Sequence, residues 1–242
     1  MLRFAVLSAF TCASALTISS PAQAAPGLGQ EVYGATVEEG EVELESRYDR
    51  LTGGPSDGED VLKLEAAYSV SDRLRIGVTT HLAREPGLNR KVEEVGFEAI
   101  YHLGRVGGID VALYGEYAVA IDGTDDVETK LLLERKQGPL DIRFNLIATK
   151  PLDSHRLAEF SYAASADVKT LGEVRLGIQA FGDLGTVRHL VPRAEHFVGP
   201  VAKFEIEGLG PEVGLELGYL FALGAARDET SGQVRIALEV EF

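Results

Sequence analysis

The residues of this chain best able to do chemistry are charged, and they stand at alternate positions in runs of apolar side chains. Arg73, Arg75, Glu98, Glu116, Asp141, Arg143 and Arg175 are the leading examples. Residues two apart lie on one face of an extended strand. Gathered on one face, such groups can neutralise one another in fixed pairs, or they can line a wet path and hold mobile ions. Acidic residues outnumber basic ones, 38 to 23, so a wet path of this kind would favour cations.

Catalytic constellations are missing from the pattern. Ser154-His155 sets a serine directly before a histidine in a polar connecting stretch, an order and place that do not suit a nucleophile held by its base. The five histidines, His81, His102, His155, His189 and His196, show no metal-ligand spacing. Gly104, Gly107 and Gly108 mark a turn rather than a phosphate cradle. The sequence therefore predicts no enzyme, no cofactor and no metal. A formal charge of −15 argues against nucleic acid as a partner.

The elements that must position these charges read as strands. About twelve segments of roughly ten residues alternate with period two. In the first, Val42, Leu44 and Tyr48 oppose Glu43, Glu45, Arg47 and Asp49. In the seventh, Leu140, Ile142, Phe144, Leu146 and Ala148 oppose Asp141, Arg143, Asn145 and Thr149. The tenth, around 196–206, is the least regular and contains Pro200, which predicts a bulge or a missing ladder bond. No helical period interrupts the series. Connections after the even strands are short (71–72, 104–108, 137–139, 169–172, 207–211). Those after the odd strands are mostly longer and more polar (52–60, 83–91, 120–126, 150–157, 183–195, 224–231).

The two ends of the chain add a location. Met1-Leu2-Arg3 precedes an apolar stretch from Phe4 to about Ile18 and an Ala22-Gln23-Ala24 site, which together predict a secretory signal peptide over 1–24. The one cysteine, Cys12, lies within it, so no disulfide is expected in the mature chain. No apolar run of about 18 residues, the length a spanning helix needs, follows Ala25. At the other end Val234, Ile236, Leu238, Val240 and Phe242 face away from Arg235, Ala237, Glu239 and Glu241.

An alternating strand ending on an aromatic, short turns on one side and long loops on the other resemble a small Gram-negative outer-membrane β-barrel of the roughly twelve-stranded, porin- or channel-like kind. That resemblance implies an all-β, antiparallel up-and-down transmembrane barrel over 41–242, preceded by a periplasmic N-terminal segment over 25–40. The short turns would face the periplasm, and Val240 and Phe242 would form an assembly signal for the barrel-assembly machinery. The function implied is passive or weakly selective passage of small solutes, leaning to cations, with Arg73, Arg75, Glu98, Glu116, Asp141, Arg143 and Arg175 as lumen and selectivity candidates. Outer-membrane lipid and lipopolysaccharide are expected neighbours, the latter near Arg84, Arg90, Lys91, Arg188 and Arg193 in the longer loops. Two other readings stay open at this point. One is a closed, salt-bridged structural or adhesive envelope barrel. The other is a soluble periplasmic barrel with its apolar face inside, around an apolar ligand.

Overall fold

The computed structural model describes residues 25–153, 155–191, 194–206 and 210–242; the predicted signal peptide lies outside them. Twelve long strands form the wall: β1 (Val42–Thr52), β2 (Asp60–Ser71), β3 (Leu74–Arg84), β4 (Lys91–Val106), β5 (Ile109–Ala120), β6 (Asp126–Gln137), β7 (Leu140–Pro151), β8 (Glu159–Lys169), β9 (Val174–Thr186), β10 (Glu195–Ile206), β11 (Glu212–Gly224) and β12 (Gly232–Glu241). A two-residue ribbon, His189–Leu190, extends β9 into the loop before β10. Every strand pairs antiparallel with its neighbours in sequence, and β12 pairs with β1 from Glu43↔Glu241 to Thr52↔Gly232. The cylinder is closed, and each of its twelve long strands is paired on both sides. Phe242 continues the seam past β12: its N–H donates to the Val42 carbonyl (3.0 Å), and the Val42 N–H to the Phe242 carbonyl (3.2 Å).

The facing of the strands decides what solvates the outside. Leu44, Leu64, Phe97, Leu113, Leu146, Leu176, Leu217 and Leu238 are exposed on the outer surface, whereas Glu45, Arg47, Lys63, Glu65, Glu98, Lys130, Glu134, Asp141 and Arg235 are buried inside. This is the reverse of a soluble barrel, and an apolar belt of that extent requires lipid. The soluble alternative is thereby corrected, because its apolar ligand needed the apolar face inside. Seven aromatic side chains on the outer face sit towards the strand ends, Tyr68, Tyr101 and Phe242 near the short turns and Tyr48, Tyr117, Tyr219 and Phe221 near the long loops, while Phe97 and Phe144 lie nearer mid-strand. Amphipathic rings belong at such interfaces. Among the described residues no helix is long and apolar enough to cross a membrane.

Pro200 breaks the ladder as its type requires. Pairing of β10 with β11 passes from Val198↔Phe221 to Val201↔Gly218 and omits Gly199 and Pro200, while Pro200 keeps its register with Ile178 on β9.

Residues 25–40, which the sequence reading leaves as a periplasmic segment, run inside the barrel. The segment leaves β1 at the short-turn end, where the Gly40 N–H donates to the Ser69 carbonyl (2.9 Å). It climbs the lumen and finishes in two tight turns near the long loops, closed by Leu28 N–H to Ala25 C=O (3.0 Å) and Gln30 N–H to Gly27 C=O (3.1 Å). Leu28 and Val32 pack in one buried cluster with Leu51, Val61, Ile147, Phe181, Phe197 and Leu220. Tyr33 and Ala35 pack in a second with Ile100, Ala112, Tyr114 and Leu132. Together these residues form an apolar core within a tube whose wall is otherwise polar.

Candidate functional site

The densest charged network in the lumen is built around Tyr33. Its hydroxyl accepts from Lys63 Nζ (2.5 Å) and lies 3.2 Å from both Glu65 Oε2 and Glu98 Oε2, donating to one at a time. Lys63 also pairs with Glu65 (2.8 Å), and Arg75 with Glu43 (2.6 Å), Glu65 (2.5 Å) and Glu98 (3.6 Å). On the other side the Tyr114 hydroxyl lies 2.9 Å from Glu98 and 2.7 Å from Glu116. Lys130 Nζ sits over both rings, 4.4 Å from the Tyr33 centroid and 4.2 Å from that of Tyr114, and pairs with Glu128 at 3.0 Å. Every member of this network stands on the inward phase of its strand or on the internal segment. The period of two therefore stacks charges from β2 to β6 at one level. Charges buried at this depth persist because each has an opposite charge or a hydroxyl donor against it.

A second cluster lies nearer the short turns. Arg143 bridges Asp141 (3.0 Å) and Glu134 (3.3 Å), Arg175 pairs with Asp167 (2.5 Å), and Lys203 reaches Asp167 (3.2 Å) and Glu216 (3.8 Å). At the rim beyond it, the carboxylates of Glu41, Glu43 and Glu241 converge within 4.8 Å across the closing seam.

The candidates named from sequence divide accordingly. Arg75, Glu98 and Glu116 meet at the Tyr33 level, whereas Asp141 and Arg143 pair in the lower cluster. Arg175 is on the lumen wall but takes Asp167 as its partner, not Asp141. Arg73 is in none of these places. It lies exposed in the turn before β3, where its N–H donates to Ser71 Oγ (3.3 Å), because the strand begins one residue later than its alternation suggests. Sequence reasoning missed Tyr33, and it gave no special place to Asp49, Asn145 or Arg235, which hold the internal segment. In the loops, Arg84 and Arg90 both turn to the fully buried Asp60 and so are committed within the chain. Arg188 is exposed, and Arg193 lies outside the described residues.

Water-accessible space remains on either side of the Tyr33 network. A cavity of about 310 Å³ on the loop side is lined by Glu94, Glu116, Asp126, Glu128, Lys130 and Arg156, among others. On the turn side, cavities of about 330 and 260 Å³ meet Glu43, Arg75, Glu134, Asp141, Arg175 and Lys203. Carboxylates dominate the loop-side cavity. Glu116 is held only by the hydroxyls of Tyr114 and Thr79, and one Asp126 oxygen has no hydrogen-bond partner. Neither has an ion pair among the described residues.

No protein-family model and no curated protein matches the sequence. Solved structures do match in fold. The KdgM porin superposes with a TM-score of 0.55 at 10% identity, over 83% of this chain and 98% of that one. A structure of the KdgM porin in complex with disordered oligogalacturonate gives the same figures. The COG4313 outer membrane channel from Pseudomonas putida F1 superposes with a TM-score of 0.59 at 11% identity, over 85% of this chain and 97% of that one. With its lipid-facing exterior, charged lumen and continuous closure, this chain is a twelve-strand outer-membrane β-barrel that resembles the KdgM and COG4313 channels in fold.

Proposed function

We propose that the barrel is an outer-membrane channel for small polar solutes, weakly selective for cations and narrowed at mid-height by its own residues 25–40. The observation that carries this reading is the loop-side cavity, whose lining holds seven carboxylates, Glu116 and Asp126 among them, against three cations, Lys63, Lys130 and Arg156. In a narrow tube with low-dielectric walls, uncompensated carboxylates raise the local concentration of cations and repel anions. Paired groups such as Arg75 and Glu98 contribute less to that field, since each cancels the other. On this reading export depends on the 1–24 signal peptide, and the β12 strand through Val240 and Phe242 is what the assembly machinery handles.

Single-channel recording in a planar bilayer under a salt gradient tests the proposal. Discrete steps with a cation-favouring reversal potential are expected, and Glu116→Gln with Asp126→Asn moves that potential towards zero. Neither substitution removes a salt bridge, so the barrel should fold unchanged. Silence from protein that is folded and inserted would instead favour a closed envelope barrel. The Tyr33 network supports that second reading, because it ties the internal segment to β2, β4 and β5 at one level.

A further inference from the structure

Four groups on the lumen wall bind the backbone of the internal segment: Asn145 and, alongside their ion pairs, Glu134, Asp49 and Arg235. Asn145 on β7 accepts the Tyr33 N–H at Oδ1 (2.8 Å) and donates from Nδ2 to the Tyr33 carbonyl (3.0 Å), a two-point contact with one residue's main chain. Glu134 on β6 accepts the Ala35 N–H (2.9 Å), and Asp49 on β1 accepts the Gly29 N–H (2.7 Å). Arg235 on β12 donates to the carbonyls of Gly27 (2.5 Å) and Gln30. These contacts use main-chain donors and acceptors, which any peptide presents. Two places then read side chains. Leu28 enters the apolar cluster that includes Phe181, Phe197 and Leu220, and the Tyr33 hydroxyl enters the Lys63, Glu65 and Glu98 group.

The apolar lining has no purpose in a merely wet tube. Ile147, Phe181, Phe197 and Leu220 occupy inward positions on strands that also turn Asp141, Gln179, Lys203 and Glu216 inward, and each is fully buried where the segment packs. The wall thus has the features of a binding surface: backbone-reading polar groups, an apolar pocket and a phenol pocket. Once residues 1–24 are removed, as the signal-peptide reading expects, the occupant joins the wall through Gly40, which has φ +89° and open space around it.

We infer that the lumen wall is a peptide-binding track, filled in cis by residues 25–40, that accepts a peptide in trans carrying an apolar residue five positions before a tyrosine. Short peptides are then a solute class that this wall recognises. The inference takes its physiological meaning from the channel reading, but the binding itself needs no ion flow. In the native chain the tethered segment competes at an effective concentration in the millimolar range or above, so a free peptide finds the track closed. Gly27 is the place to loosen it without touching the wall. It has φ +84°, and a Cβ there would lie 2.5 Å from Phe181 Cγ, so Gly27→Ala expels the upper turns.

The test titrates a fluorescein-labelled peptide of residues 25–40 against the refolded mature protein in detergent, read by anisotropy. Heat-modifiable migration on a gel verifies the closed barrel in each variant. Gly27→Ala is expected to bind the peptide saturably, while the native protein binds it at least tenfold more weakly, a factor equivalent to about 1.4 kcal/mol. Adding Asn145→Ala to Gly27→Ala weakens binding at least tenfold again. Leu28→Ala, which empties the apolar pocket without a clash, should admit the peptide too and decides the matter if Gly27→Ala fails to fold. Folded Leu28→Ala protein that binds no peptide overturns the inference, as does binding indifferent to Asn145. Conductance of the same proteins separates the two proposals: saturable binding in a silent barrel keeps the track and removes the channel, and conduction without binding does the reverse.

Discussion

Arg235→Ala should lower the unfolding free energy of the barrel by about 3–5 kcal/mol, the cost of removing one partner of a buried ion pair. Arg235 is 1% exposed and Asp49 is fully buried, with the guanidinium 3.4 Å from the carboxylate and 4.4 Å from the centre of the Phe181 ring. The same guanidinium holds the carbonyls of Gly27 and Gln30. Alanine leaves the buried Asp49 carboxylate without its paired cation, takes from the Gln30 carbonyl its guanidinium donor, and leaves the Gly27 carbonyl with the Gln30 N–H alone. Truncation also removes the flat cation that lies on Phe181, so packing is lost with the charge.

Urea titration of the refolded protein in lipid vesicles measures the effect. A loss under about 1 kcal/mol, the scale of an exposed pair, would show that water reaches Asp49 and that the segment does not seal this level. The double variant Arg235→Met, Asp49→Leu should recover much of the loss, since apolar replacement of a whole buried pair is often close to neutral. Recovery would show that the single variant fails through a stranded charge and not through a general collapse of the β12–β1 seam.

Much of this architecture was legible because a strand's side-chain period survives any tertiary context in which its two faces meet different solvents. Leu140 to Ala148 and Val234 to Phe242 keep an apolar residue at every outward position, and the structure keeps both phases. Loop asymmetry was legible for a related reason: short turns leave so little chain that neighbouring strands must pair as hairpins. Pro200 announced its own break, since it has no N–H to give to a ladder.

The internal segment was not legible from its own residues. Pro26, Gly27, Gly29 and Gly34 give it no period, and its conformation is fixed by wall groups far away in sequence, Asn145 and Arg235 above all. A signal did exist on the wall. Phe181 and Phe197 stand on the polar phase of β9 and β10, where a water-filled tube has no use for them, and an apolar side chain there requires something apolar to cover it. Arg73 failed for a smaller reason. Alternation carried across a two-residue turn assigns a face to residues that have none, and the exposed Arg73 lies in such a turn.

Leu131→Arg should cost about 2–4 kcal/mol, the penalty for an arginine on the lipid face of a barrel at the bilayer midplane. Leu131 lies near the middle of β6, faces outward, and is registered with Leu113 on β5 and Leu146 on β7, both of which also face outward. Its neighbours Lys130 and Leu132 point into the lumen and are buried. The same strand supplies its own control, because Arg135 is already outward and exposed close to the turn at Gln137. There an arginine costs only about 0–1 kcal/mol, since its guanidinium reaches the headgroup region. Placing the charge four residues higher on the same face changes depth and nothing else about the wall. Reversible urea unfolding in vesicles should therefore separate Leu131→Arg from native protein by several times the effect of Arg135→Leu. Equal, small effects at both positions would mean that no hydrocarbon surrounds the belt, and the assignment of the outer face to lipid would fall with it.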